Sequence, residues 1–462
     1  MKKVFIKTYG CQMNERDSDA VAAMLLDRGY ALAKSERDAD VILLNTCSVR
    51  DLAEQKAIGK MGLLTRMKHR RSDLVLGFMG CMAQRLGPQL LDRLPKVDLV
   101  IGTQKLHRIP DHLDRFLNNG HHPISDIAEE AGSQNAIRDH AAPAARPTAF
   151  VSIMQGCDMQ CSFCIVPATR GTERSRSIEE ILAEVRALVA CGVKEVTLLG
   201  QIVTSYGRGV IPICDGKSPF VQLLEAVNAG PGLERIRFSS AHPQGFRDDL
   251  IRCYGRLEKL CEYVHLPVQS GSDPMLKAMC RTYTVDKYRR IVAKLRARVP
   301  EIALSTDIIA GFPGETDADF TATVKLCEEM QYDNVFLFKY SNRSGTPATA
   351  MPGQIPQEEI VRRHHHLWKL TETHAARRNA QLVGRGAQVL IEGEPKSKKV
   401  EGRLFGRTRC NRLVYFPGAG CRRGQLLDVH ITRSKSHTLY GEPHSTTADR
   451  RPQTEVSPAT IH

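Results

Sequence analysis

Three cysteines stand close together in the run Cys157-Asp158-Met159-Gln160-Cys161-Ser162-Phe163-Cys164. Thiolates this near one another confine the chain to a tight loop around a shared ligand. At this spacing they can hold three irons of a [4Fe–4S] cube and leave the fourth iron without a protein ligand. Ferredoxin-type runs supply a fourth cysteine, because an electron carrier gains nothing from an open position. Here the next cysteine is Cys191, beyond a predicted helix. An open iron gives a small molecule somewhere to bind. A zinc ion held by three thiolates and a water is the alternative. A thioredoxin-like pair from Cys161 and Cys164 leaves Cys157 unexplained.

The chain carries 14 cysteines in 462 residues. It opens Met1-Lys2-Lys3-Val4-Phe5-Ile6-Lys7, and Lys7 breaks the apolar stretch too early for a secretory signal. The expectation is a cytoplasmic protein, whose cysteines serve metals or catalysis rather than disulfides. No apolar run reaches transmembrane length, so no membrane partner is expected. A formal charge of +14 favours a polyanionic partner.

The length predicts two or three domains. Short apolar strands over residues 4–8, 41–44, 74–78 and 99–102 are separated by helical patterns over 18–28 and 49–67. That alternation predicts an α/β, flavodoxin-like parallel sheet over residues 1–118. Each of the first three strands runs almost at once into a cysteine: Cys11, Cys47 and Cys81. Loops leaving the carboxyl ends of parallel strands share one edge of the sheet, where open α/β domains bind ligands. These cysteines are therefore expected to converge on a second metal site; three unrelated buried thiols are the alternative.

Residues 119–147, rich in Ala, Pro and His, read as a linker. From 148 to 381 a second series has strands at 150–153, 195–199, 236–239, 263–268, 303–310 and 334–339. Six βα units predict a partial (βα) barrel. The cysteine loop follows its first strand, at the carboxyl end where such barrels keep their active sites. Strands at 388–392, 400–405, 412–416 and 426–432 predict a small β-barrel over 382–445. Its cations Arg385, Lys396, Lys398, Lys399, Arg403, Arg407, Arg409, Arg412, Arg422, Arg423, Arg433 and Lys435 predict RNA binding. Residues 446–462 read as a disordered tail.

The cysteine loop, with Phe163 before its last cysteine, resembles that of radical S-adenosylmethionine (SAM) enzymes. The N-terminal motifs Thr8-Tyr9-Gly10-Cys11-Gln12-Met13-Asn14, Asn45-Thr46-Cys47-Ser48-Val49-Arg50 and Gly80-Cys81-Met82-Ala83-Gln84, with a basic TRAM-type barrel, resemble the methylthiotransferase branch. The flanks of Cys11 and Cys47 are similar to the tRNA-modifying enzymes acting on N6-isopentenyladenosine. His265-Leu266-Pro267-Val268-Gln269-Ser270-Gly271-Ser272 and Gly311-Phe312-Pro313-Gly314-Glu315-Thr316 also resemble family motifs.

The resemblance implies that Cys157, Cys161 and Cys164 hold a [4Fe–4S] cluster whose open iron chelates SAM. Reductive cleavage of SAM there gives a 5′-deoxyadenosyl radical. Cys11, Cys47 and Cys81 would hold an auxiliary [4Fe–4S] cluster that delivers sulfur. The implied reaction places a methylthio group on C2 of N6-isopentenyladenosine at position 37 of tRNA, next to the anticodon. A reducing electron donor is required, and the chain is expected to be a monomer. Phe163, Gly200, Gln201, Gly311 and Gly314 are the implied cofactor-binding residues. Where the family commonly follows Gln201 with Asn-Val-Asn, this chain has Ile202-Val203-Thr204. The competing functions are methylthiolation of a ribosomal protein side chain and a non-catalytic RNA-binding metal-cluster protein.

Overall fold

A computed structural model describes residues 1–48, 51–118, 122–130, 132–133, 146–395, 402–418 and 420–444. Val49 and Arg50 of the second motif, Lys396, Lys398 and Lys399, the tail read at 446–462, and most of the stretch read as a linker lie outside these residues.

The first sheet has six parallel strands: β1 (Lys3–Tyr9), β2 (Ala31–Leu32), β3 (Val41–Thr46), β4 (Val75–Gly80), β5 (Leu99–Ile101) and β6 (Ile124–Asp126), in the order β2-β1-β3-β4-β5-β6. Successive side chains of a strand point to opposite faces, so a strand covered on both sides reads as a continuous apolar run. Thus Val41 and Leu43 join Val4, Val21 and Leu25 on one face, while Ile42 and Leu44 join Met61, Leu64 and Phe78 on the other. The short β2 escapes the sequence pattern. The stretch read as a linker contributes β6, which extends the sheet beyond β5.

Helix α1 (Gln12–Asp27) starts six residues before the predicted position, at Gln12 instead of Ser18. Its early buried face is polar, with Asn14, Arg16, Asp17 and Ser18 all covered, so apolar periodicity appears only from Ala20 onward. Helix α2 (Asp51–Met67) follows β3, and the short helix α3 (Cys81–Leu86) begins on the third cysteine.

The central unit begins with β7 (Thr148–Ser152). The two-residue strands β8 (Met154–Gln155) and β9 (Arg174–Ser175) pair on either side of the cysteine loop. Then come β10 (Glu195–Leu199), β11 (Arg235–Phe238), β12 (Tyr263–His265), β13 (Ala303–Ala310) and β14 (Asn334–Lys339). The parallel triplets β11-β10-β7 and β12-β13-β14 are joined through an Ile236–Leu260 bridge, giving an open six-stranded partial barrel. The Ser177–Glu180 capping box forms, with the Glu180 amide donating to Ser177 Oγ at 3.2 Å at the head of the helix Ile178–Ala190.

The last unit is a closed barrel of β15 (Gly386–Gly393), β16 (Arg403–Thr408), β17 (Leu413–Pro417), β18 (Leu426–Lys435) and β19 (Thr438–Pro443) around Val389, Ile391, Val414, Phe416, Val429, Ile431 and Leu439. Strand β19 was not expected from the sequence. This barrel docks on the amino ends of the central strands, opposite the cysteine loop. Arg237 donates to the carbonyls of Thr408 and Arg409, each at 2.7 Å. Arg409 pairs with Glu262 at 2.7 Å, and Arg412 pairs with Asp333.

Those contacts divide the cations that the sequence places together. Arg409 and Arg412 are held by carboxylates of the central unit. Arg385 pairs with Glu301 at 2.7 Å and Arg407 with Glu392 at 3.3 Å. Counting charge along a sequence cannot see a carboxylate that arrives from another domain.

Candidate functional site

Cys11, Cys47 and Cys81 follow β1, β3 and β4, three adjacent strands of one sheet, so their loops leave the same edge. Cys11 caps the amino end of α1, and Cys81 is the first residue of α3. Two asparagines tie the loops together. Asn14 Nδ2 donates to Asn45 Oδ1 at 3.0 Å, and Asn45 Nδ2 donates back to the Asn14 carbonyl at 2.8 Å. The Cys11 thiol lies 3.3 Å from Asn14 Oδ1. The glycines before the cysteines leave the room this needs. A Cβ on Gly10 would come within 2.5 Å of Asn14 Oδ1 and 2.8 Å of Cys47 Cβ. Gly80 has φ +92°, and a Cβ there would meet Asn45 Oδ1 at 2.3 Å.

The thiols sense one another. A hydrogen bond from Cys47 holds the Cys11 thiol down at about 6, against burial, with help from the Arg170 charge and the Asn14 and Met13 amides. Burial pushes Cys81 up, opposed by Arg170.

The second set follows β7. Cys157 and Cys161 are buried, and burial raises the Cys157 thiol and takes Cys164 to about 12. The loop folds back on itself, with the Cys164 amide donating to the Cys161 carbonyl at 3.0 Å. Arg281 donates to Cys161 Sγ at 3.4 Å. Neutral thiols in such surroundings ionise when a metal takes the place of the proton. Among the described residues no group of three His, Cys, Asp or Glu side chains is gathered tightly enough for a single metal ion.

The segment 169–171 links the two sets. The Gly171 carbonyl accepts the Cys157 amide at 3.0 Å. The preceding Arg170 turns the other way, donating to Asp17 Oδ2 of α1 at 2.7 Å while its charge faces Cys81 and Cys11. Thr103, beyond β5, donates to the Thr169 carbonyl at 2.6 Å. Consecutive residues therefore touch both cysteine sets.

Three family models match. Residues 3–102 fit "Uncharacterized protein family UPF0004", residues 151–327 the "Radical SAM superfamily" and residues 380–443 the "TRAM domain". The chain is 53% identical to a tRNA-2-methylthio-N(6)-dimethylallyladenosine synthase from Opitutus terrae, over 96% of this chain and 97% of that one. It is 48% identical to the protein of the same name from Methylacidiphilum infernorum, over 100% of both. The chain belongs to this family. In fold, it is similar to the radical S-adenosylmethionine methyltransferase TsrM from Kitasatospora setae, with TM-score 0.56 and 14% identity over 76% of this chain and 75% of that one.

Among the residues that family resemblance marked for the cofactor, Gly200 and Gln201 leave β10 at the same edge as the cysteine loop, because β10 pairs in parallel with β7. Gln201 Oε1 is buried without a hydrogen-bond partner among the described residues. At Gly200 a Cβ would strike Met154 Cγ at 2.6 Å. Phe163 stands edge-on to Phe312, centroids 6.4 Å apart, in an apolar group with Met279 and Tyr340. Gly311 has φ +77°, and a Cβ there would meet Ile360 Cγ1 at 2.4 Å; its amide donates to buried Glu315 at 2.9 Å. That turn is accounted for by packing against the helix Gln357–Ala380. Gly314 has φ +80° and open space where a Cβ would stand, while its amide donates to the Gly353 carbonyl at 2.8 Å. At the departure from Asn-Val-Asn, the Thr204 hydroxyl accepts the His242 amide at 3.1 Å and so joins the loops after β10 and β11.

Sequence reasoning missed Asp17, Arg170 and Arg281. Asn14 and Asn45 lay inside quoted motifs, yet nothing in the sequence says that they bond to each other. No disulfide joins any of the fourteen cysteines among the described residues; outside the two sets, Cys253, Cys261 and Cys327 are buried as structural thiols should be, while Cys191, Cys214 and Cys280 are exposed.

Proposed function

We propose that this chain is a radical SAM methylthiotransferase that adds a methylthio group to C2 of N6-isopentenyladenosine at position 37 of tRNA. The observation that carries the reading is the pair of three-cysteine sets meeting across Arg170 and Gly171. Each set lacks a fourth cysteine, which suits two [4Fe–4S] clusters that each keep an open iron. Cys157, Cys161 and Cys164 would hold the one that chelates SAM, and Cys11, Cys47 and Cys81 the one that carries sulfur. Gln201 Oε1, a buried acceptor without a partner among the described residues, suits the amino end of SAM.

The C2–H of adenine is too weak an acid for any side-chain base at neutral pH. When bound, SAM and the clusters supply radical formation and sulfur; the protein supplies position and exclusion of water. Phe163, Phe312 and Tyr340 cover the loop on its apolar side. Arg281 and Arg170 place fixed positive charge beside thiolates of the two sets. Among the described residues no helix is long and apolar enough to cross a membrane. A cytoplasmic monomer served by a reducing electron donor suits the reading.

Mass spectrometry of tRNA nucleosides from cells with and without the protein tests it. The 2-methylthio derivative of N6-isopentenyladenosine should vanish in the null strain, with the unthiolated nucleoside rising in its place. An unchanged nucleoside profile overturns the tRNA assignment and leaves a ribosomal protein side chain as the substrate to examine.

A further inference from the structure

The docking of the C-terminal barrel uses the hairpin around Arg407–Arg412 and the turn at 435–437, where the carbonyls of Lys435 and Ser436 accept from Asn379 at 2.8 Å and His437 pairs with Glu372; another wall of the barrel stays open to solvent. On that wall one row of side chains runs in register across four strands. Phe405 of β16 faces Tyr415 of β17, Tyr415 faces Tyr440 of β19, and Tyr440 faces Arg433 of β18. The rings follow one another at 6.3 and 5.9 Å, the second pair tilted by 32°. The Arg433 guanidinium lies 4.1 Å over the Tyr440 ring, and Arg403 flanks the same ring at 5.8 Å. The rings are half-buried and Arg433 is exposed, whereas their strand neighbours Val414, Phe416 and Leu439 fill the barrel. Arg403 and Arg433 have no carboxylate partner among the described residues, unlike the docking arginines. Glu442, two residues beyond Tyr440, is the nearest acid along β19.

We propose that Phe405, Tyr415, Tyr440 and Arg433, flanked by Arg403, form a stacking platform for unpaired nucleotides of the tRNA, gripped at a distance from the reacting adenosine. The proposal rests on the reading of tRNA as the substrate. Aromatic rings and arginine planes in a row on a sheet suit splayed bases, which stack on either, while the cations meet the phosphates between them. The row offers few hydrogen-bonding groups for base edges, so it selects unpaired RNA rather than a particular sequence. Its distance from the chemistry follows from the topology. The barrel docks at the amino ends of the central strands, and the cysteine loop leaves at their carboxyl ends. The eight residues of β13 alone separate those ends by roughly 26 Å. One nucleotide cannot occupy both places, so the row engages a different part of the same tRNA.

The test uses the full chain loaded with its clusters and unthiolated tRNA carrying N6-isopentenyladenosine. Tyr415→Leu with Tyr440→Leu keeps apolar bulk and removes the π-faces; tRNA affinity at fixed salt should fall roughly tenfold or more. Tyr440→Phe should bind as the parent does. Arg433→Gln should weaken binding and flatten its salt dependence by about one phosphate contact. Turnover at saturating tRNA should be unchanged in all of them, and thermal unfolding reports whether each variant is folded. Unchanged affinity in the folded Leu and Gln variants overturns the platform. Reduced turnover at saturating tRNA overturns its remote placement. A parent protein that binds no tRNA overturns the substrate assignment instead.

Discussion

Asp17 and Arg170, 153 residues apart, form a 2.7 Å ion pair whose side chains are 0% and 3% exposed. The pair fastens α1 of the first domain to the segment beneath the cysteine loop of the second. Removing one partner strands the other charge in a buried site. Asp17→Ala is expected to destabilise the docked arrangement by about 3–5 kcal/mol, seen as a lower denaturant midpoint. The double variant with Arg170→Met should recover part of that loss, since no lone charge remains.

The two cysteine sets should be separable by iron content. Replacing Cys157, Cys161 and Cys164 by Ala should remove half the iron of the anaerobically loaded protein and abolish SAM cleavage. Replacing Cys11, Cys47 and Cys81 should remove the other half, end methylthiolation and leave SAM cleavage in place. Retained SAM cleavage in the first variant would falsify the site assignment.

Gly10→Ala tests the loop geometry without touching a cysteine. Its Cβ would press on Asn14 Oδ1 at 2.5 Å and on Cys47 Cβ at 2.8 Å; the buried Asn14 amide is held by Asn45 and the Cys47 Cβ by its own backbone, so neither gives way easily. We expect loss of the auxiliary cluster's iron with the SAM-binding cluster intact, measured by iron and sulfide counting beside electron paramagnetic resonance of the reduced protein. A full complement of iron would show that the loop adjusts.

His242 should make the fold sensitive to acid. Burial first, then the charges of Arg281 and Lys287, holds its imidazole down at about 3. The unfolded chain takes up that proton near pH 6.5, while the folded chain refuses it. Stability is therefore complete above about pH 6.5 and declines toward pH 3 by about 1.4 kcal/mol per unit from this group. Denaturation midpoints between pH 7 and 4 should fall less steeply in His242→Leu than in the parent. Parallel slopes would remove His242 from the account.

The sequence by itself determined which cysteines the proposed chemistry draws on. Three cysteines in eight residues, and three more each placed just after an apolar strand, specify two sets of thiolates, because strand periodicity and cysteine spacing are local properties. Periodicity also located β10, β13 and β14, where the apolar runs are long or strictly bounded. It failed at β2, β6 and β19, which are short or amphipathic, and at the start of α1, whose buried first turns are polar.

Only the tertiary structure decided how these parts meet. Asn14 bonds to Asn45, and Asp17 to Arg170, through contacts between elements that no local pattern encodes. Tertiary docking also divided the cations of the C-terminal barrel. Arg409 and Arg412 face carboxylates of the central unit and are spent on docking, while Arg403 and Arg433 stand beside an aromatic row on the free wall. A charge has the same sign wherever it lies in a sequence; whether it meets a carboxylate or solvent depends on the fold.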